Sequence, residues 1–329
     1  MIVQSLPPFA PALRPFVRSF MLMEIQSSER RVYADLRIPA SDITALLLPL
    51  SGCGGFCLDA VTGEKVRFPS AYLHGQLSRP NNGGSELGGV DNSLLALFGI
   101  IFTPIGLHAF VQKHLGTMHI IRNTFASAEH LFDHAEFLQE QLQEAYHQEL
   151  RYREALHSPT THHFTPLQKF RQLANDAEHF LCQMLLANEL KRESHECTRG
   201  AQQAAHISRR LAETHGRASI EAIAKELNLS ERHSLRIMQE YVGVSGKTFG
   251  EIQRFMYASR LLCNAVASAP AGQPITSETL HTAIHQAGYY DQSHCNRDFK
   301  HFSGSTPLQF LRERHVLAEN LIGADFRES

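Results

Sequence analysis

Residues 280–311 read LHTAIHQAGYYDQSHCNRDFKHFSGSTPLQFL. Gly288 interrupts two runs of helical spacing, and glycine supplies the left-handed backbone that a tight turn between helices needs. Beyond the turn, Phe299 falls on the face that anchors a core, while Gln292, Ser293, Asn296 and Arg297 fall on the exposed face. The spacing predicts helix, tight turn, helix, with polar side chains held outward on the second helix.

The same arrangement occurs earlier, in SIEAIAKELNLSERHSLRIMQEYVG at 219–243. Ile220, Ile223, Ala224 and Leu227 recur at helical spacing, Asn228 breaks the run, and Ser230 is placed to cap a second helix. Small Ala224 lets the two helices approach, and Asn228 tolerates the left-handed turn. On the second helix Ile237, Met238 and Tyr241 are expected in the core, with Arg232, Leu235, Arg236 and Gln239 turned outward. Both outward faces suit the major groove of DNA. Arg pairs with guanine O6 and N7, Gln or Asn with adenine, and an exposed Leu meets a thymine methyl group. Lys247 and Lys300, near helix ends, are candidates for phosphate contacts. Ile252, Phe255, Leu262 and Val266 mark an amphipathic stretch joining the units.

Two such units in tandem resemble the DNA-binding domain of the AraC/XylS family of bacterial regulators. The most specific segment is GYYDQSHCNRDFKHFSGSTP, with its Gly-aromatic-x-Asp-Gln-Ser turn, an Arg in the reading helix, an aromatic-Lys pair and Gly-x-Thr-Pro beyond. The resemblance covers residues 200–315 and extends weakly to FTPIGLHAF at 102–110, which is similar to the end of a sensor-like domain in one subfamily. It implies a cytoplasmic, sequence-specific transcription regulator, with helices near 230–241 and 291–301 reading two successive major grooves of promoter DNA. A small-molecule effector, a homodimer and, for an activator, RNA polymerase are further partners that it allows. The chain departs from the family pattern at Ser234 and Cys295, where Leu or Phe is usual, at Ile284, where Ala is common, and at Leu235, where a polar residue is common. Looser packing of both reading helices, and a first unit that contributes a thymine contact plus Arg232 and Arg236, are the expected consequences.

Outward from these units, the fold class reads as α+β: a β-rich, sensor-like N-terminal domain, a helical middle and an all-α C-terminal domain. Apolar runs at 43–50, 66–73 and 94–102 are expected as strands separated by Gly-rich and Asn-rich breaks. A helix should follow, with Thr103 as N-cap, Pro104 at its first position, Leu107, Phe110, Val111 and Leu115 on one face, and Gly116 as its stop. Residues 127–157 lack Gly and Pro and read as one long helix, SPTTHHFTP at 158–166 as a break, and Pro166 to about Glu193 as a second helix paired with the first. The expected division is a regulatory domain at 1–116, a helical connector with a possible dimerisation role at 117–199, the DNA-binding domain at 200–315 and a tail at 316–329.

Composition bounds the alternatives. At 329 residues and 43% apolar, the chain can build two or three cores, and no run matches a membrane span or a secretory leader. Net charge is −2, yet residues 201–315 carry 13 Lys and Arg against 10 Asp and Glu, so the basic excess lies with the motifs. Six scattered cysteines read as reduced thiols, and the Cys53/Cys57 pair has no partner pair for a metal. The spacings His130/His134 and His281/His285 lack a third ligand and read as solvated helix surface. Thiol-based DNA repair would need an activated cysteine, and a cupin-like metal centre would need clustered histidines, whereas His74 is the only histidine before residue 100. No catalytic residue, metal or cofactor is assigned. An adaptor or ligand sensor without DNA binding is the remaining alternative.

Overall fold

A computed structural model describes residues 2–26, 36–51, 55–58, 65–68, 70–85, 94–155, 166–189, 195–268 and 277–312. Cys53, the tail at 316–329 and most of the break at 158–166 lie outside the described residues.

Among the described residues, ten strands make two antiparallel sheets: β1 (Ile2–Leu6), β2 (Val17–Gln26), β3 (Leu36–Ile38), β4 (Thr44–Ser51), β5 (Gly55–Leu58), β6 (Lys65–Phe68), β7 (Tyr72–His74), β8 (Asn81–Ser85), β9 (Leu94–Phe102) and β10 (Phe125–Ser127). The larger sheet runs β1-β2-β9-β4-β7-β10 and the smaller β3-β8-β5-β6. Phe98 lies opposite Leu22 on one side and Leu48 on the other, so one face of β9 presents a continuous apolar ridge. The run at 66–73 forms parts of two strands, β6 and β7, rather than one.

Helix α1 (Gly106–Leu115) starts two residues later than the Thr103-Pro104 signal implies. The Thr103 hydroxyl donates to Pro15 O at 2.8 Å instead of capping, so it joins the helix entry to the loop before β2. A short 3-10 turn (Met118–Ile121) follows. Helix α2 (Ala135–Ala155) is shorter than the expected 127–157, because Ser127 belongs to β10 and His134 has φ +60. His130 and His134 therefore precede the helix and do not share a helical face. Helix α3 (Pro166–Glu189) packs on α2, and both close over the larger sheet. Phe20, Phe98, Phe102, Phe110, Tyr146 and Phe170 lie in this one core.

The C-terminal part is all helical: α4 (His195–Glu213), α5 (Ile220–Glu226), α6 (Glu231–Tyr241), α7 (Gly246–Ser268), α8 (Ser277–Gln286), α9 (Gln292–Ser303) and α10 (Pro307–Arg312). It has two cores. One gathers Ala204, Ile207, Ile237, Met238 and Phe249, and the other Phe255, Leu262, Ile284, Cys295 and Phe299. Ile252, Phe255 and Leu262 of α7 are buried as expected, but Val266 is 45% exposed. No described helix is long and apolar enough to cross a membrane.

The N-terminal half meets both helical cores. Ala40 is buried in the second core, and its N–H donates to Phe302 O at 2.7 Å. Beside it Asp42 accepts from both terminal nitrogens of Arg18, at 3.2 and 2.9 Å, and from Gln253 Nε2 of α7 at 2.9 Å. Burial alone would raise the Asp42 carboxyl, but the charge and hydrogen bonds of Arg18, aided by Gln253, hold it below the usual carboxylate range. A carboxylate so depressed contributes stability above its ordinary pKa and loses it as pH falls through the folded value. Asp42→Asn is therefore expected to lower stability by about 2 kcal/mol at neutral pH, the scale of a hydrogen bond to a charged group. Urea titrations of both proteins should show the gap closing as the pH is taken below the ordinary carboxylate range. A gap independent of pH would show that the charge of Asp42 contributes nothing.

Candidate nucleic-acid interface

Local signals build each reading helix. In the first unit Ser219 caps α5, its Oγ accepting from Ala222 N at 3.3 Å, and Asn228 turns the chain at φ +55. Ser230 then caps α6, accepting from His233 N at 3.2 Å. These caps satisfy amides that the helix cannot. In the second unit Gly288 turns the chain at φ +84, and a Cβ there would also stand 3.0 Å from Arg217 Cγ. Asp291 caps α9, accepting from His294 N at 2.7 Å. The trailing Gly-Ser-Thr-Pro is equally structural. Gly304 ends α9, Thr306 N donates to Gln309 Oε1 at 3.0 Å while Gln309 N returns to Thr306 Oγ1 at 3.4 Å, and Pro307 opens α10.

The inward faces are as expected. Ile223, Ala224, Ile237, Met238 and Tyr241 are buried in the first unit, and Ile284, Cys295, Phe299 and Phe302 in the second. At two of the four expected departures from the family pattern, Cys295 is fully covered and Ser234 is buried with its hydroxyl donating to Glu231 O at 2.8 Å. Ser234 thus satisfies its polar atom within its own helix.

The outward faces are less uniform. Arg232, Leu235 and Arg236 are exposed on α6, and Gln292, Ser293 and Arg297 on α9, but Gln239 and Asn296 are half-buried. Gln239 lies where the N-terminal half meets α6: its main-chain carbonyl accepts from Thr117 Oγ1 at 3.1 Å, and His119 Nδ1 stands 3.3 Å from Gly243 O. Lys247 is exposed in the first turn of α7 and Lys300 in the last turn of α9. Two neighbours of the outward arginines are not among the expected site residues. Glu240 pairs with Arg236, Oε2 to Nη1 at 3.0 Å, an i,i+4 relation legible in the sequence. Tyr290, in the turn before α9, is 86% exposed, whereas the adjacent Tyr289 is buried.

An open hollow lies on each flank of α6. One, about 810 Å³, separates α6 from the foot of α4 and is lined by Arg199, Gln203, His233, Arg236 and Glu240, among others. The other, about 400 Å³, separates α6 from the start of α7 and is lined by Glu221, Glu231, Arg232, Leu235 and Lys247, among others.

Two of the described cysteines disfavour the thiolate that nucleophilic chemistry needs. Burial and the nearby Asp298 charge push the Cys295 thiol up to about 12, and burial with Glu178 raises Cys182, so both remain protonated. His281 and His285 approach at 2.9 Å between Nε2 atoms on α8, but among the described residues no group of three His, Cys, Asp or Glu could hold a metal.

The C-terminal part is built as two helix-turn-helix units joined by one long helix. Residues 223–313 match a family model described as a helix-turn-helix domain. Among solved structures, ToxT from Vibrio cholerae aligns at 14% identity over 89% of this chain and 98% of its own, with a TM-score of 0.43. Wild-type ToxT from the same organism bound to an unsaturated fatty acid aligns at 12% identity over 88% and 93%, with a TM-score of 0.42. A search of curated proteins found no match.

Proposed function

We propose that the chain reads promoter DNA through two successive major grooves, α6 supplying Arg232, Leu235, Arg236 and Gln239, and α9 supplying Gln292, Ser293, Asn296 and Arg297. Lys247 and Lys300 contact phosphates. The observation that carries this reading is the repetition: each unit buries an apolar face and presents arginine with other base-reading side chains on the second helix of its pair. The N-terminal half, at 1–116, is the regulatory part, responding to a small-molecule effector, and the helices at 117–199 connect it to the reading units and serve a homodimer. The cytoplasm is the site of action, and an activating complex would include RNA polymerase.

Selection of bound sites from random DNA, followed by titration of the selected and a scrambled duplex at two salt concentrations, tests the reading. Lys247→Ala and Lys300→Ala should weaken both duplexes about equally and make log K fall less steeply with log salt, by about 0.9 for each phosphate that is no longer neutralised. A lysine change that alters the preference between the duplexes would instead make that residue a base reader.

A further inference from the structure

We propose that the hollow between α6 and the foot of α4 seats a DNA backbone strand, with Arg199 as a phosphate contact on the flank of the reading helix opposite Lys247. The inference rests on α6 being a major-groove helix. A helix lying in that groove is bounded by phosphates of both strands, so the protein needs room and cations on each side of it.

The two hollows meet the first need. They differ in the second. On the α7 side, Arg232 and Lys247 are matched by Glu221 and Glu231. On the α4 side, among the described residues, Arg199 and Arg236 face one acid, Glu240, which already pairs with Arg236 at 3.0 Å. Arg199 is exposed, and no acidic partner for it is found among the described residues. The more basic flank is thus the one without an assigned phosphate contact.

Packing fixes the place of Arg199. The next residue, Gly200, lies so close to α6 that a Cβ there would stand 2.9 Å from the Tyr241 ring. Absence of a side chain at 200 lets the start of α4 come down onto the end of α6, which brings Arg199 to the edge of the reading face. Gln203, one turn further along α4, lines the same wall and can donate to a phosphate oxygen or a bridging water. Arginine suits this seat because its planar fork can grip two phosphate oxygens together.

Full-length Arg199→Ala, Arg199→Lys, Lys247→Ala and Arg297→Ala would be titrated against the selected and scrambled duplexes over a range of salt, with thermal melts to verify folding. Arg199→Ala should bind both duplexes severalfold more weakly, leave their ratio unchanged and reduce the salt slope by about 0.9, whereas Arg199→Lys should keep most of the slope. An unchanged slope in Arg199→Ala, while Lys247→Ala and Arg297→Ala still weaken binding, overturns the seat and leaves the groove reading standing. A change confined to the selected duplex also overturns it, because a phosphate contact carries no base preference. If these variants and Arg236→Ala on α6 all bind as the parent does, α6 is not in the groove and the inference falls with that reading. Should Arg199→Ala melt early, Arg199→Gln gives the same comparison with the side-chain volume largely kept.

Discussion

Phe255→Ala is expected to destabilise the second reading unit by about 3 to 5 kcal/mol, the range for deleting a large aromatic side chain from a closed core. Phe255 is fully buried on α7, and its ring centroid lies 4.9 Å from Phe299, 5.5 Å from Phe302 and 6.2 Å from Phe310. It therefore touches both residues that hold α9 against the domain and the anchor of α10. The first unit draws on another core, with Ile207, Ile237 and Phe249, and should keep its fold. A chain with several cores need not unfold in one step, so the measurement is amide exchange resolved by segment. Amides of α9 should lose protection by the stated free energy while those in the middle of α6 change little. Footprinting should then show the half-site of the second unit opened first. Equal loss of protection in α6 and α9 would mean that the two cores fold as one.

The reading units were legible because their signals are local. Ser230 and Asp291 each cap a helix with amides three residues away, and Asn228 and Gly288 each turn the chain within a few residues. Nothing distant must be known to place them. Strand β9 was legible for a similar reason: an uninterrupted apolar run fits a strand covered on both faces. The errors fall where a remote partner decides. Thr103 looks like a helix cap, but its hydroxyl goes to Pro15, 88 residues earlier. Residues 127–134 contain no helix breaker, yet Ala128 N donates to Ala71 O and the segment is drawn along the sheet. Helical spacing places Gln239 on the outward face, where its side chain is half-buried, but does not report that its main-chain carbonyl is held by Thr117, 122 residues away. Spacing along one helix reports the face a residue lies on, but not what another part of the chain lays over that face.

The contact at Thr117 bears on how the two units divide recognition, and the double variant Arg236→Ala with Arg297→Ala measures that division. Each arginine can make paired hydrogen bonds to guanine, and losing such a pair costs about 1 to 3 kcal/mol of discrimination. The arginines lie in separate units with separate cores, so their losses should add. Preference for the selected duplex over the scrambled one should fall by about 2 to 6 kcal/mol, or from roughly thirtyfold to more than ten-thousandfold. The two contributions should be unequal. Arg236 must leave Glu240, 3.0 Å away, to reach a base, and the end of its helix is held by Thr117 and His119. Arg297 is exposed, and no acidic partner for it is found among the described residues. Arg297→Ala alone should therefore cost at least as much as Arg236→Ala, and Glu240→Gln should raise the affinity of the parent modestly by releasing Arg236. Titration of the single and double variants against both duplexes at fixed salt gives the ratios. Variants that melt like the parent and keep its full preference would show that the bases are read by other side chains.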